Sequence, residues 1–272
     1  MMVHMGDADG YLGGISHNYP DIVKPCLQTI GPAPDTHRIV GMYMMTVNGQ
    51  LMFIGDATIN IYPDSRTLAE IAVQTAKVAR RFGVKPKVAM LSFSNFGTSG
   101  EMRTDRIEEA ISMARELDPG LIIDGPMQAD TALIEDIQEN YPFMEFEGPA
   151  NVLICPNLAS ANIAYKLLQR VAGAEMTGPI LEGLAKPAHV LQRDDSVREV
   201  VHMAAICAVD AQRHATQKLG DNFLFQSNTF GDADNTSSLQ PSEYCSKFSI
   251  NICASKFATL SNLVLSDQVS LG

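Results

Sequence analysis

Three stretches of this chain repeat one order: a short apolar run, a polar turn, then apolar residues at helical spacing. "KVAMLSF" (87–93) leads through a Ser/Asn/Gly turn into a helical pattern from about Arg103 to Leu117. "LIIDG" (121–125) leads into "MQADTALIEDIQEN", and "ANVLICP" (150–156) into "NLASANIAYKLLQRVAG". Strand, turn and helix at these spacings suit right-handed crossovers between parallel strands. The pattern predicts an α/β chain with a doubly wound, mostly parallel sheet.

Upstream, "RIVGMYMMTV" and "QLMFIGDATI" flank Asn48-Gly49, a strong hairpin signal because both turn positions tolerate positive φ. A long helix fits "RTLAEIAVQTAKVARRFG" and ends at Gly83. Downstream, Ser196 precedes "VREVVHMAAICAVDAQ" and Glu199 follows three residues later, the arrangement of a capping box. After about His214 the chain turns rich in Ser and Asn and loses any period. Residues 1–214 therefore read as the folded domain and 215–272 as a loosely ordered extension.

The formal charge of -11 argues against non-specific nucleic-acid binding. It leaves room for an anionic small ligand, because local cations and helix N-termini still make positive pockets. No stretch approaches the ~20 apolar residues of a membrane helix, and the first residues do not form a secretory signal. The cysteines at 26, 155, 207, 245 and 253 contain no C-x-x-C and are odd in number. That pattern argues against a disulfide framework or zinc site and fits a cytoplasmic location.

In an open parallel sheet, ligands bind beyond the carboxyl ends of the strands. The first such turn, "SFSNFGTSG", offers Ser92, Ser94, Asn95, Thr98 and Ser99, with Gly97 and Gly100 allowing close backbone approach. It can cradle a phosphate, although turns of this composition also join strands to helices where nothing binds. It is neither G-x-G-x-x-G nor a P-loop, which removes a nicotinamide-nucleotide fingerprint and an ATPase. The second turn places Asp124 and Asp130 near the same edge, and Asp130 also serves as a helix N-terminal charge. In the third, Asn157 reads as an N-cap, with Asn162 one turn further on. "GDADGYLGG" lacks the third ligand and closing glutamate of a calcium loop. His17, His189 and His202 are spread along the chain, and His202 lies in an apolar helix as a packed residue.

Taken together, "GDADG", "LSFSNFG", "DGPMQAD", "ANVLICPNLASANIAYKLLQR" and "GPILEGLAKPAHVLQ" resemble the phosphate acetyltransferase / phosphate butyryltransferase family in order and spacing over residues 1–212. "SNFG" and "KPAHVLQ" most resemble the version fused to the C-terminus of bacterial NADP-dependent malic enzymes. The resemblance implies two three-layer α/β/α lobes of the isocitrate/isopropylmalate dehydrogenase type with a cleft between them, of which the first is N-terminally incomplete here. It implies acetyl transfer between coenzyme A and phosphate, in which a thiolate attacks an acyl phosphate, a carboxylate takes the thiol proton and arginines hold the phosphate. Neither a metal nor a cofactor is implied. The expected ligands are acetyl-CoA and phosphate or acetyl phosphate. Assembly as a homo-oligomer is expected too, with no nucleic acid and no membrane.

On this resemblance Arg193 and Glu199 are the catalytic candidates, and Lys24, Ser92, Ser94, Asn95, Gly97, Thr98, Asp130, Asn162 and Gln192 the substrate-binding ones. The chain also departs from the family pattern. Gln192 stands where the family has a serine beside its arginine, and Glu199 where it has an aspartate. The extra methylene moves the carboxylate by about 1.5 Å, and a misplacement of about 1 Å costs on the order of a hundredfold in rate. His189 and Val190 replace an amide and a carboxylate. Asn95-Phe96-Gly97-Thr98 replaces Thr-Lys-Gly-Ser, and Lys24 replaces an arginine, which removes a bidentate fork. These departures place a regulatory and oligomerisation module that binds acetyl-CoA and signals to malic enzyme domains ahead of an active acyltransferase.

Overall fold

The computed structural model describes residues 1–34, 36–47, 49–97 and 105–227, the stretch 217–227 by its backbone alone. The compact unit is Met1–Asp221. A second unit, Asn222–Gly272, is described only through Ser227. In chain order the first half comprises α1 (Met2–Met5), β1 (Tyr11–Gly13), α2 (Tyr19–Thr29), β2 (Val40–Val47), β3 (Gln50–Gly55), α3 (Ser65–Arg81), β4 (Lys87–Leu91) and α4 (Asp105–Leu117). The second half comprises β5 (Ile122–Met127), α5 (Ala129–Leu133), α6 (Glu135–Gln138), β6 (Val152–Ile154), α7 (Leu158–Val171), β7 (Glu175–Glu182), β8 (Ala188–Val190) and α8 (Val197–Ser227).

Six strands form a mixed sheet in the order β5-β4-β6-β3-β2-β7, and β1 pairs with β8 in a separate two-stranded parallel sheet. The pairs β4/β5, β4/β6 and β3/β6 are parallel, while β2 runs against both β3 and β7. The three expected strand–turn–helix units are therefore present, and β2 makes the sheet mixed. Alternation along the strands feeds two cores. Phe53, Val88, Met90, Val152 and Ile154 pack with Leu68, Ile71, Ile107 and Met203 on the face carrying α3, α4 and α8. Met52, Ile54, Ala89 and Leu153 pack with Ala132, Ala161 and Tyr165 on the face carrying α5 and α7. The result is three α/β/α layers. A third cluster, including Val23, Cys26, Ala188 and Val190, seats α2 against β8.

Helix starts follow the capping signals. Asp64 accepts from Thr67 N at 2.8 Å and Asn157 from Ser160 N at 3.0 Å. Ser196 and Glu199 make the expected capping box: Ser196 N donates to Glu199 Oε2 at 2.6 Å, and Glu199 N to Ser196 Oγ at 3.3 Å. The single helix expected over "MQADTALIEDIQEN" is two short ones, because Ile134 is extended at φ -118°, ψ 116°. Gln138 fills the break by donating to Thr131 O at 3.0 Å and Gly148 O at 3.3 Å. The expected boundary near residue 214 falls within α8, and the stretch 228–272 lies outside the described residues, as does Asn48 of the expected hairpin turn. Among the described residues no helix is long and apolar enough to cross a membrane.

One buried charge cluster ties four elements together. Arg81, at the end of α3, pairs with Glu182 of β7 and with Asp210 of α8, the latter at 3.2 Å. His189 of β8 is only 1% exposed, and its Nε2 faces Asp210 Oδ2 at 3.3 Å. Its Nδ1 accepts from Leu181 N at 3.2 Å, so Nδ1 carries no proton and the neutral ring holds its proton on Nε2, toward the carboxylate. Burial works to raise the Asp210 pKa, but His189 and Arg81 outweigh it and hold the carboxyl below its usual value. Asp210→Asn should therefore destabilise the fold by about 3 kcal/mol, the scale of breaking a buried pair from one side. Because the folded pKa is depressed, the wild-type contribution is complete above about pH 4 and is lost as pH falls through the folded value. Chemical denaturation of both proteins at pH 7 and pH 3 checks this: the gap between them should close in acid, and an equally stable variant at pH 7 would refute the role of the cluster.

Candidate active site

The carboxyl ends of β3, β4 and β6 open on two depressions that flank α7. The first, of about 830 Å³, is lined by Ser92 and Phe93 after β4, Arg106 of α4, and Cys155, Asn157 and Ser160 at the start of α7. The second, of about 410 Å³, is lined by Tyr19 and Thr58, by Asn162, Tyr165 and Lys166 of α7, and by Gln192 and Arg193 in the turn between β8 and α8.

The second depression holds the densest chemistry. Arg193 and Lys166 both line it, and neither makes an ion pair among the described residues. Lys166 Nζ sits 5.4 Å from the Tyr165 ring centroid, and Tyr165 stacks on Tyr43 at 4.2 Å between centroids. Gln192 is anchored twice: its backbone N–H donates to Asp195 Oδ2 at 2.7 Å, and its side-chain amide donates to the Tyr43 hydroxyl. Burial keeps Tyr43 protonated, well above its usual pKa. Asn162 Nδ2 donates to Ala57 O at 3.2 Å, fixing the loop after β3 against α7. Two exposed cations thus line one cavity in a chain of net charge -11.

The structure thus brings Asn162, Gln192 and Arg193 together in one cavity and places Ser92 in the other. The remaining candidates among the described residues are not in either lining. Asn95 is a strut between two turns: its Nδ2 donates to Gln128 Oε1 at 3.1 Å and Tyr141 OH at 3.0 Å, and its Oδ1 accepts from Gln128 N at 2.7 Å. Ser94 is buried beside it, and Gly97 supplies a left-handed turn residue at φ +73°. Asp130 Oδ1 accepts from Thr131 N, in keeping with its N-terminal helix position. Lys24 is exposed on α2. Glu199 uses its carboxylate in the capping box of α8. Thr98 lies outside the described residues. Sequence reasoning missed Lys166, although Asn162 and Lys166 stand four apart on one helix face. It also missed Arg106, which donates to Pro156 O at 2.9 Å over the first depression. Cys155 lines that depression, but burial pushes its thiol up to about 12, so it is no nucleophile at neutral pH.

A three-layer α/β/α sheet whose carboxyl edge presents a basic cavity defines a class of proteins that bind anionic small molecules at that edge. Comparison narrows the class. The family model "Phosphate acetyl/butaryl transferase" matches residues 1–208, and the chain belongs to that family. It is 40% identical over 212 residues to the phosphate acetyltransferase of Corynebacterium glutamicum, covering 78% of this chain and 64% of that protein. It is 38% identical over 212 residues to the phosphate acetyltransferase of Bacillus subtilis, covering 78% of this chain and 66% of the relative. The crystal structure of a phosphotransacetylase from Streptococcus pyogenes superposes with TM-score 0.74 at 39% identity, covering 78% of this chain and 65% of that one. The chain therefore spans just under two thirds of the length of these relatives.

Both cations should be needed to hold an anion. Arg193→Ala and Lys166→Ala should each weaken inorganic phosphate binding by about tenfold to a hundredfold, the range for a lost charge-assisted hydrogen bond. Calorimetry at low ionic strength reads this directly, and unchanged affinity in either variant removes that residue from the site.

Proposed function

We propose that the chain provides the acyl-transfer site of a phosphate acetyltransferase, moving an acetyl group between coenzyme A and phosphate. The observation that carries this reading is the turn holding Arg193, which presents an unpaired guanidinium to the same cavity as Lys166. In the forward direction the thiol sulfur attacks the acyl carbon of acetyl phosphate. The C–S bond forms, the C–O bond to phosphate breaks, and the electron pair leaves on the phosphate oxygen. Arg193 and Lys166 stabilise the charge on the departing phosphate, and a carboxylate accepts the thiol proton. The relatives at 38–40% identity are phosphate acetyltransferases, which moves the balance from the regulatory reading toward the catalytic one. The two-lobed, isocitrate dehydrogenase-like cleft and a homo-oligomeric state belong to the same proposal.

A second reading is supported by one specific feature. Glu199, at the position of the family's base, spends its carboxylate on Ser196 N, and Gln192, at the position of the family's serine, is tied to Tyr43. A cavity that binds acetyl-CoA with its base engaged elsewhere suits a regulatory module of an NADP-dependent malic enzyme.

The deciding measurement is phosphate-dependent release of free coenzyme A from acetyl-CoA by the purified chain at millimolar phosphate. Turnover above roughly 1 s⁻¹, the low end for ordinary enzymes, supports the transferase. A folded sample that binds acetyl-CoA and releases nothing supports the regulatory module. If the transferase is active through Glu199, Glu199→Gln should cut turnover by about a hundredfold or more. Its thermal midpoint should stay unchanged, since glutamine also serves a capping box. Undiminished turnover in that variant would assign the proton to another group.

A further inference from the structure

One wall of the Arg193 cavity is built of hydroxyls rather than cations. Tyr19 OH lies 2.8 Å from Thr58 Oγ1, and Thr58 Oγ1 donates to Gly41 O at 3.3 Å. A hydroxyl has one proton. With the Thr58 proton on Gly41 O, the proton between the two side chains is Tyr19's. Burial raises the Tyr19 pKa, which keeps the phenol protonated and able to donate. Position 41 has to be glycine for this contact: a Cβ there would lie 2.0 Å from Thr58 Oγ1.

The loop carrying Thr58 is held by a strained residue. Asp56 is 4% exposed and adopts φ +38°, a left-handed conformation costly for a residue with a Cβ. Its carboxylate compensates by accepting from Gly41 N at 3.2 Å, Ile59 N at 3.1 Å, Asn60 N at 2.8 Å and the Asn60 side-chain amide. Ala57 N donates to Gly41 O at 2.9 Å. The loop is thereby fixed to β2 as well as to α7, and Thr58 has no freedom to turn its proton toward the cavity without abandoning Gly41.

A relay that runs from Tyr19 through Thr58 to a backbone carbonyl spends both protons within the protein and leaves Thr58 Oγ1 one lone pair. Such a wall offers no proton to an anion and accepts from a neutral donor. We infer that Thr58, oriented by Tyr19 and held by Asp56, is the acceptor in this cavity for an amide N–H of a thiol-bearing substrate such as coenzyme A, while Arg193 and Lys166 take the anion. The inference rests on the acyltransferase reading and adds to it a division of labour: cations select phosphate, and the hydroxyl wall selects the thiol partner.

Calorimetric titration of the full chain with coenzyme A, and separately with inorganic phosphate, tests this. Thr58→Val removes the oxygen and keeps the shape. It should weaken coenzyme A binding about threefold to tenfold, the worth of one neutral hydrogen bond, and leave phosphate binding unchanged. Thr58→Ser should restore the affinity. Equal losses for both ligands, a loss for phosphate alone, or a serine variant as weak as the valine one would each overturn the inference. Tyr19→Phe, which removes the orienting donor without touching the loop, must show the same selective loss, and this variant decides the matter if the valine protein does not fold. Wild-type chain that binds neither ligand sinks the acyltransferase reading together with the inference. Wild-type chain that binds both, with Thr58→Val and Tyr19→Phe indistinguishable from it, sinks the inference alone.

Discussion

Arg81 is the cation that reaches both carboxylates at the junction of α3, β7 and α8, Asp210 and Glu182. Arg81 stands at the C-terminus of α3, and its guanidinium splits between a carboxylate on β7 and one on α8. An unpaired charge there would cost several kcal/mol, so the ends of α3, β7, β8 and α8 cannot drift independently. Burial alone would lower the Arg81 pKa, but Glu182 and Asp210 more than compensate, which keeps the cation in place. The turn between β8 and α8 hangs between two pinned elements. Within the turn, Gln192, tied to Asp195 and to Tyr43, sets where Arg193 falls. His189 belongs to the same device. Its imidazole accepts from Leu181 N on one nitrogen and turns the other toward Asp210, which ties β8 to α8.

The site is assembled around α7. One flank of that helix lines the larger depression with Asn157 and Ser160, and the other lines the Arg193 cavity with Asn162 and Lys166. Its N-cap and the Asn162 bond to Ala57 set where both flanks fall. Among the described residues, Lys166 and Arg193 bring positive charge to the smaller cavity, and its polar wall also holds hydroxyls, amides and the His17 ring. A site of this kind discriminates by the sense of its hydrogen bonds, which fixed donors and fixed acceptors in a restricted space enforce better than charge alone.

Much of the fold was legible from periodicity, because the strands of the sheet core alternate faces and the helices between them carry apolar stripes. Capping was legible for the same local reason: Asn157, and Ser196 with Glu199, satisfy backbone groups within three residues of themselves. The break at Ile134 was not legible, because Gln138 replaces the missing helical partners and its target carbonyls include Gly148, outside the segment. The mixed sheet was not legible as such either, since a hairpin signal shows that two strands are antiparallel but not where the pair joins the others. For the site, polar character in the turn after β4 suggested ligand contact for Asn95, whereas Gln128 and Tyr141 from later elements claim that amide. Lys166 looked like one more exposed helical lysine until the Arg193 turn was seen opposite it.

The amino-acid sequence by itself determined the kinds of element, their order, their caps and the family they belong to, since these depend on short-range geometry and on motifs of contiguous residues. Tertiary structure alone decided which polar groups share a cavity and which way their protons point. Lys166, Arg193, Tyr19 and Thr58 come from a helix, a turn, a second helix and a strand-end loop, and no local rule relates them. The physical reason is that a side chain's role depends on its unsatisfied valence. Glu199 and Asn95 spend theirs within the protein, Arg193 and Lys166 do not, and only the packed arrangement of the layers settles which is which.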